Sequence, residues 1–451
     1  MSQRDSSGLF APGTYDFKKV LLRDHDIDIR FKVLEINIYE SIFQSCMTAD
    51  ITIIDADNMV ANLPITEGNI IELELACNEQ DKIQQSADGS DIRCVMEVIK
   101  ITSRIKTSQQ DVQTYNIRLS SVGWSDNVRD RVSRSFINKS YAKIVSDIFY
   151  DKFFNENVDG LQGKFSQEDK KTCTIDPTVG EFSVIIPRWK PITCFNWLAG
   201  RSQSNMNKDA VNYFFWEDKD HYNFRAIENI MNEAPVDTYY VKLQNIQRDD
   251  PRNYMNIVNY SFADTGDVLL YAMNGTLGSR LITHDIVSKQ VVDHTSDGFY
   301  SLDYNVTGEP FDYVDEFDKL THVDSGGLPL IDETVSSTLS DDPGNTRLFV
   351  QNKHMYGFTE MKDVKCEEWL RQRTMQKPLL KYIRMTIATL GNFKRKAGEI
   401  IKIELPSPEE EKGVLDKRMN GHYLVTSVRR IFKPSKHECV MEVIKDSYYG
   451  K

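Results

Sequence analysis

Gly68-Asn69-Ile70-Ile71-Glu72-Leu73-Glu74-Leu75, near one end of the chain, is matched almost residue for residue by Gly398-Glu399-Ile400-Ile401-Lys402-Ile403-Glu404-Leu405 near the other. Both stretches read as an apolar strand led by glycine, followed by a polar loop and two further strands. A repeat at this distance implies two copies of one barrel-like unit.

The heptapeptide Cys94-Val95-Met96-Glu97-Val98-Ile99-Lys100 recurs letter for letter as Cys439-Val440-Met441-Glu442-Val443-Ile444-Lys445. It starts 26 residues after Gly68 in one copy and 41 after Gly398 in the other. Spacing therefore favours setting the hairpin at 94–121 against that at 421–446. Val98 then falls opposite Val428, each 30 residues after its glycine, and Tyr115 falls near Cys439. The identical heptapeptides are convergence on a good strand sequence. What repeats is the order of Gly-led strand, loop and long hairpin.

At 451 residues the chain has room for about three domains. With 40% hydrophobic and 27% charged residues its composition is that of a globular protein. The N-terminal stretch lacks the apolar core of a signal peptide, and no run approaches the length of a membrane span, so membrane insertion is not expected. Seven scattered cysteines without a Cys-x-x-Cys argue against a disulfide framework or a thiolate zinc site. A net charge of −12 argues against tight nonspecific nucleic-acid binding. Two local basic clusters, Lys394-Arg395-Lys396 and Arg429-Arg430 with Lys433 and Lys436, read as solvated loop tips.

Period-two alternation runs from Phe17 to Ser121. One strand is expected through 27–38 with a change of face, and others at 49–55, 66–76, 92–105 and 112–121. At Ser140 the period becomes 3.6, which places a helix at 139–153. Asn155 to Thr178 reads as a polar linker. Pro191 suits the first position of a helix that carries Cys194, Phe195, Trp197, Leu198 and Ala199. Tyr213 to Arg225 reads as a hairpin turning at Asp218–Asp220. Strand patterning returns at 254–263 and 268–294, with a turn at Asn274-Gly275. Residues 295–352 are acidic and weakly periodic, an excursion rather than core. A helix near 361–376 precedes strands at 380–390, 398–405, 421–432 and 437–446.

Catalytic constellations do not emerge. His437-Glu438 could begin a His-Glu-x-x-His helix, but the second histidine position is Met441. His284 and His294 lie on apparent strands as ordinary side chains. Neither phosphate-cradling glycine loop is present, nor is a nucleophile elbow. The concentration of Trp189, Trp197, Tyr213, Phe214, Phe215 and Trp216 could stack a sugar or base, but its periodicity suits a domain core better. Asn274-Gly275-Thr276 matches a glycosylation acceptor and reads as a turn.

Three features resemble the baseplate hub proteins of contractile-tailed bacteriophages, of the tail-tube-like adaptor type. Ile186-Pro187-Arg188-Trp189-Lys190-Pro191, then Trp197-Leu198-Ala199-Gly200-Arg201, Tyr213-Phe214-Phe215-Trp216-Glu217 and Phe224-Arg225, resemble that family's middle domain. Thr389-Leu390-Gly391-Asn392-Phe393 with Ala397-Gly398-Glu399-Ile400-Ile401 is similar to its last barrel. The overall order of units is the third.

The resemblance implies an α+β, β-rich chain, with two tube-type β-barrel domains flanking a small α/β domain and an irregular insertion. The N-terminal barrel spans 1–135, the middle domain 136–238, and the first part of the second barrel 239–294. The acidic insertion with its terminal helix takes 295–376, and the second barrel resumes at 377–451. The implied function is that of a structural virion protein, a homotrimer whose six barrels form a pseudo-sixfold ring between a hexameric tail tube and a trimeric central spike. Implied partners are the spike, the tube protein, and baseplate wedge or other hub proteins. DNA only passes through the channel. The implied location is the virion tail baseplate, assembled in the cytoplasm of a bacterial host. No catalytic, cofactor-binding or metal-ligating residue is assigned, no cofactor is expected, and the chain is read as not an enzyme. Alternatives are a tube-like hub component of a non-phage contractile injection system, and a cell-wall hydrolase using a carboxylate pair. Because 300–345 lacks core periodicity, its deletion is expected to leave both barrels folded, and an insoluble deletion product would contradict the boundary.

Overall fold

The computed structural model describes residues 13–57, 59, 65–77, 91–106, 112–153, 170–207, 210–241, 251–265, 280–286, 288–293, 346–351, 366–407, 415–416, 419–434 and 436–446. The expected turn at Asn274-Gly275, His294 and most of the acidic excursion lie outside the described residues.

The N-terminal unit contains β1 (Tyr15–Leu22), β2 (Ile27–Asp28), β3 (Val33–Ser41), β4 (Thr48–Asp55), β5 (Ile70–Cys77), β6 (Asp91–Lys106) and β7 (Gln113–Ser121). A middle unit follows, with α1 (Val122–Arg129), β8 (Val132–Lys139), α2 (Tyr141–Lys152), β9 (Cys173–Ile175), β10 (Phe182–Trp189), α3 (Pro191–Ala199), β11 (Tyr213–Glu217), β12 (Tyr222–Ala226) and α4 (Ile227–Met231). The remainder comprises β13 (Thr238–Tyr240), β14 (Ile257–Thr265), β15 (Arg280–Asp285), β16 (Gln290–Asp293), β17 (Thr346–Gln351), α5 (Cys366–Leu379), β18 (Ile383–Leu390), β19 (Ile400–Glu404), β20 (Gly421–Lys433) and β21 (Lys436–Lys445). The protein is β-rich α+β.

One sheet of thirteen strands joins the two ends of the chain. In the N-terminal unit neighbours run β3-β4-β7-β6-β5-β1; in the C-terminal unit they run β14-β18-β21-β20-β19-β13. The two orders correspond strand for strand, differing in that β1 lies antiparallel to β5 whereas β13 lies parallel to β19. The repeated glycines mark the same point in both. Gly68 and Gly398 have φ of 88° and 91°, a backbone that side-chain-bearing residues adopt at a cost. The Gly68 N–H donates to Val98 O at 2.9 Å and the Val98 N–H returns to Asn69 O at 2.8 Å. The Gly398 N–H donates to Val425 O at 2.8 Å and the Val425 N–H returns to Glu399 O at 2.9 Å.

Val98 therefore corresponds to Val425, which corrects the expected match with Val428. Equal spacing from the glycine misled because the C-terminal copy reaches the equivalent position in three fewer residues. A bulge follows at once in both strands, between Val98 and Lys100 and between Val425 and Ser427. Val98 faces Leu119 and Val425 faces Val443, so that counting four residues back matches Tyr115 with Cys439, as the sequence suggested. The identical heptapeptides lie on β6 and β21, which do not correspond.

Two other expectations are corrected. The stretch 27–38 is not one strand: β2 ends at Asp28, a 3-10 turn takes Arg30–Lys32, and β3 begins at Val33. The Asp28 carboxylate accepts the N–H of Arg30 at 3.0 Å, a local bond that competes with extended pairing. Ile29 is buried and Phe31 exposed, so the apolar alternation there is not that of a sheet face. Within the expected excursion, residues 346–351 form β17, which pairs parallel to β15; its apolar run, Leu348-Phe349-Val350, is only three residues long.

The middle unit follows its sequence signals. Ser140 caps α2 by accepting the Lys143 N–H, Pro191 occupies the first turn of α3, and the β11–β12 turn is held by Asp218 Oδ1, which accepts the N–H groups of Asp220 and His221 at 2.7 and 2.8 Å. The linker read at 155–178 contains β9, parallel to β12.

Gly398→Ala is expected to destabilise more than Gly68→Ala. Both place a side chain at positive φ, which costs about 1–2 kcal/mol, but a Cβ at 398 would also lie 2.7 Å from the Trp216 ring, whereas at 68 its nearest neighbour is Glu97 Oε1 at 3.6 Å. Denaturant midpoints of the two variants check this, and equal losses would contradict it.

Candidate functional site

The two sheet units meet where β3 pairs antiparallel with β20, from Ser41 opposite Ser427 to Ile36 opposite Phe432. The Ile42 N–H extends this ladder to Thr426 O at 2.9 Å. Side chains add to it: Ser427 Oγ donates to Ser41 Oγ at 2.9 Å and Arg429 Nε to Asn37 Oδ1 at 3.0 Å. Each unit also completes the other's core. Phe393 and Phe432 pack into the N-terminal core, and Ile42 packs into the C-terminal one.

At the centre of this seam lies an ion pair with no exposed side-chain surface, Arg430 Nη1 donating to Glu40 Oε1. Arg430 Nη2 donates to the Arg395 carbonyl. Arg395 continues the network, with Nη2 bonded to Asp237 Oδ2 at 2.8 Å and Nη1 lying 3.4 Å from Glu399 Oε2. Burial pushes the Glu40 carboxyl above its ordinary value, against the pull of Arg430. Burial also works against the Arg430 guanidinium, and its surroundings together, Glu40 foremost, hold it above its ordinary value.

These contacts correct the reading of both basic clusters as solvated loop tips. Arg395 and Arg430 are fully buried, while Lys433 and Lys436 are exposed and share Glu438. A signal was present: Glu40 continues the inward series Ile36, Ile38, and Arg430 sits between inward Val428 and Phe432. A charge on the core phase of two strands needs a buried partner.

His437 is buried beside the seam, its ring stacked on Phe432 at 4.1 Å. It lies on β21, so no zincin helix is formed. Burial, reinforced by Arg430, holds its imidazole well below the ordinary value and hence neutral. Gly391 makes room for it, since a Cβ there would lie 2.1 Å from the ring.

The middle unit is tied to the same seam. Trp216 Nε1 donates to Ala397 O at 3.3 Å, so this residue serves the C-terminal core and not its own unit's. Tyr213 and Phe215 do lie in the middle core, Trp189 meets Trp197 edge-on, and Phe214 meets Phe43. Lys396 pairs with Asp220 at 3.1 Å. Glu217 accepts the Met47 N–H at 2.9 Å and Lys171 Nζ at 2.9 Å. Burial opposes the Lys171 charge, and its neighbours together, Glu217 foremost, hold it above its ordinary value. Beside this pair a cavity of about 600 Å³ opens, lined among others by Cys94, Asp126, Lys171 and His221. Burial, with Asp130 nearby, pushes the Asp126 carboxyl up to about 7. His284 lies on β15 opposite Val291.

No protein-family model matches the chain, and no curated protein matches it in sequence. Solved structures do match. The tail protein from Neisseria meningitidis MC58 aligns over 98% of both chains at 10% identity with a TM-score of 0.53. The chain has the fold of that tail protein. The 43 kDa tail protein of prophage MuSo2 from Shewanella oneidensis aligns over 92% of this chain and 94% of its own, at 9% identity and a TM-score of 0.49.

Removing one partner of the buried pair, as in Arg430→Met or Glu40→Leu alone, is expected to cost about 3–5 kcal/mol, because the other charge is left buried and unpaired. The double variant is expected to recover most of that loss. A double-mutant cycle by denaturant unfolding checks it; additive losses would show that the two charges are not coupled.

Proposed function

We propose that the chain is a structural subunit of the baseplate hub of a contractile tail. The observation that carries this reading is that one polypeptide holds the same strand order twice and fuses the copies into one sheet. A subunit built this way offers two equivalent positions per chain, so three chains give six units around an axis. Such a ring meets a sixfold tube on one side and a threefold spike on the other. The tail-protein fold supports the same reading.

On this reading the partners are further copies of the chain, the tube, the spike and neighbouring baseplate proteins. The chain's excess of acidic residues is of the sign that suits a channel wall repelling passing DNA phosphates. The chain then acts by assembly and not by bond chemistry. Lysis of cell-wall substrate in a zymogram, abolished by changing one carboxylate, would overturn that part.

Mass photometry of the chain, alone and mixed with the spike protein of the same tail, tests the assembly. A trimer under either condition is expected, and a stable dimer would overturn the ring.

A further inference from the structure

We infer that the outer edge of β14 pairs antiparallel with the distal half of β6 in a second copy of this chain, repeating between subunits the β3–β20 seam found within one. This rests on the ring reading above and supplies its contact surface.

The correspondence of the two units carries the inference. β20 uses Gly421 to Leu424 to pair with β19 and Ser427 to Phe432 to pair with β3. Its counterpart β6 uses Asp91 to Glu97 to pair with β5. Beyond that, the same edge runs on to Lys106 with no strand beside it among the described residues. β3 lies between β4 and β20, whereas its counterpart β14 pairs with β18 alone among the described residues, apart from a single bridge between Asn256, just before it, and Tyr240 of β13.

Register transfers as well. β3 and β14 share a bulge, between Val33 and Glu35 and between Ile257 and Asn259. Ile36, Asn37 and Ile38 therefore correspond to Tyr260, Ser261 and Phe262. On the other strand, Ile105 and Lys106 face Thr114 and Gln113 as Ile431 and Phe432 face Glu438 and His437. β6 carries one extra residue there, accommodated by an irregularity in which Ser103 has φ 54°. Copying Ile431 opposite Asn37 and Phe432 opposite Ile36 puts Ile105 of one copy opposite Ser261 of the next, and Lys106 opposite Tyr260.

Exposure points the same way. Ile36 and Ile38, on the strand paired at the internal seam, are fully buried, yet their counterparts Tyr260 and Phe262 are 40% and 39% exposed, with Val258 at 64%. Ile431 is 8% exposed and its counterpart Ile105 is 62%. Residues 258–263 read Val-Asn-Tyr-Ser-Phe-Ala, an apolar alternation without the charge or proline that protects a solvent-facing edge. Inside the chain a strand of this shape mates with the distal half of β20, and the counterpart of that surface is the distal half of β6. A second copy offers it, and a head-to-tail contact of this kind is the type that builds a ring when its rotation closes.

An Ile105→Cys, Ser261→Cys variant, oxidised across a concentration series, tests the register, because directly opposed strand residues lie within disulfide reach. Covalent species ending at a closed trimer, absent from the oxidised parent chain and from each single variant, are expected. A Val258→Lys, Phe262→Lys variant is expected to weaken self-association at least tenfold with an unchanged unfolding midpoint. If trimers form but the paired cysteines do not cross-link, or the lysine variant assembles as the parent does, the edge pairing is wrong and the ring reading stands. If the parent forms no trimer alone or with the spike protein, both fall.

Discussion

The structure depends on a backbone ladder between two strands that lie nearly four hundred residues apart, β3 and β20. Bringing such distant segments together costs loop-closure entropy, although that cost grows only logarithmically with separation. What offsets it is concentrated at the seam. Main-chain groups of both strands are satisfied there, Phe393 and Phe432 fill the neighbouring core, and Glu40 and Arg430 find each other out of water. A buried ion pair adds little net stability against a well-packed apolar alternative, but it strongly penalises wrong pairings. Its effect here is on register: a one-residue slide of β3 along β20 would turn Glu40 to the other face and leave the guanidinium alone in the core, and a two-residue slide would keep both inward but apart.

The seam also makes the two units one mechanical body. Each core contains residues from across the junction, so neither sheet unit is closed without the other. The middle unit is fastened at the same place through Trp216 on Gly398, Lys396 with Asp220 and Glu217 with the Met47 amide. Force applied to one unit therefore passes through backbone hydrogen bonds and packed side chains.

Much of this was legible in one dimension. The Gly-led strands could be recognised because positive φ leaves glycine as the favoured residue, and the same requirement operates in both copies. The helix capped by Ser140, the helix begun by Pro191 and the hairpin turning on Asp218 were readable because their signals are local side-chain to backbone bonds. Where reading failed, a longer-range effect decided. Val98 was paired with Val428 because residue counting ignores unequal strand and loop lengths. Arg395 and Arg430 were placed in solvent because charge alone was weighed, although the strand phase of Arg430 pointed inward.

The sequence by itself determined the strand-rich class, the duplication and the place of many of the longer strands and helices, since alternation, capping and glycine placement act over a few residues and leave their mark in residue type. Tertiary structure alone decided that the two copies share one continuous sheet, that a carboxylate from residue 40 neutralises a guanidinium from residue 430, and that equivalent strand edges are paired at one junction and, among the described residues, not paired along their length at the other. Strand pairing is made by main-chain groups that every residue carries, so the choice of partner is written in packing and in the few charges that must not be left unpaired.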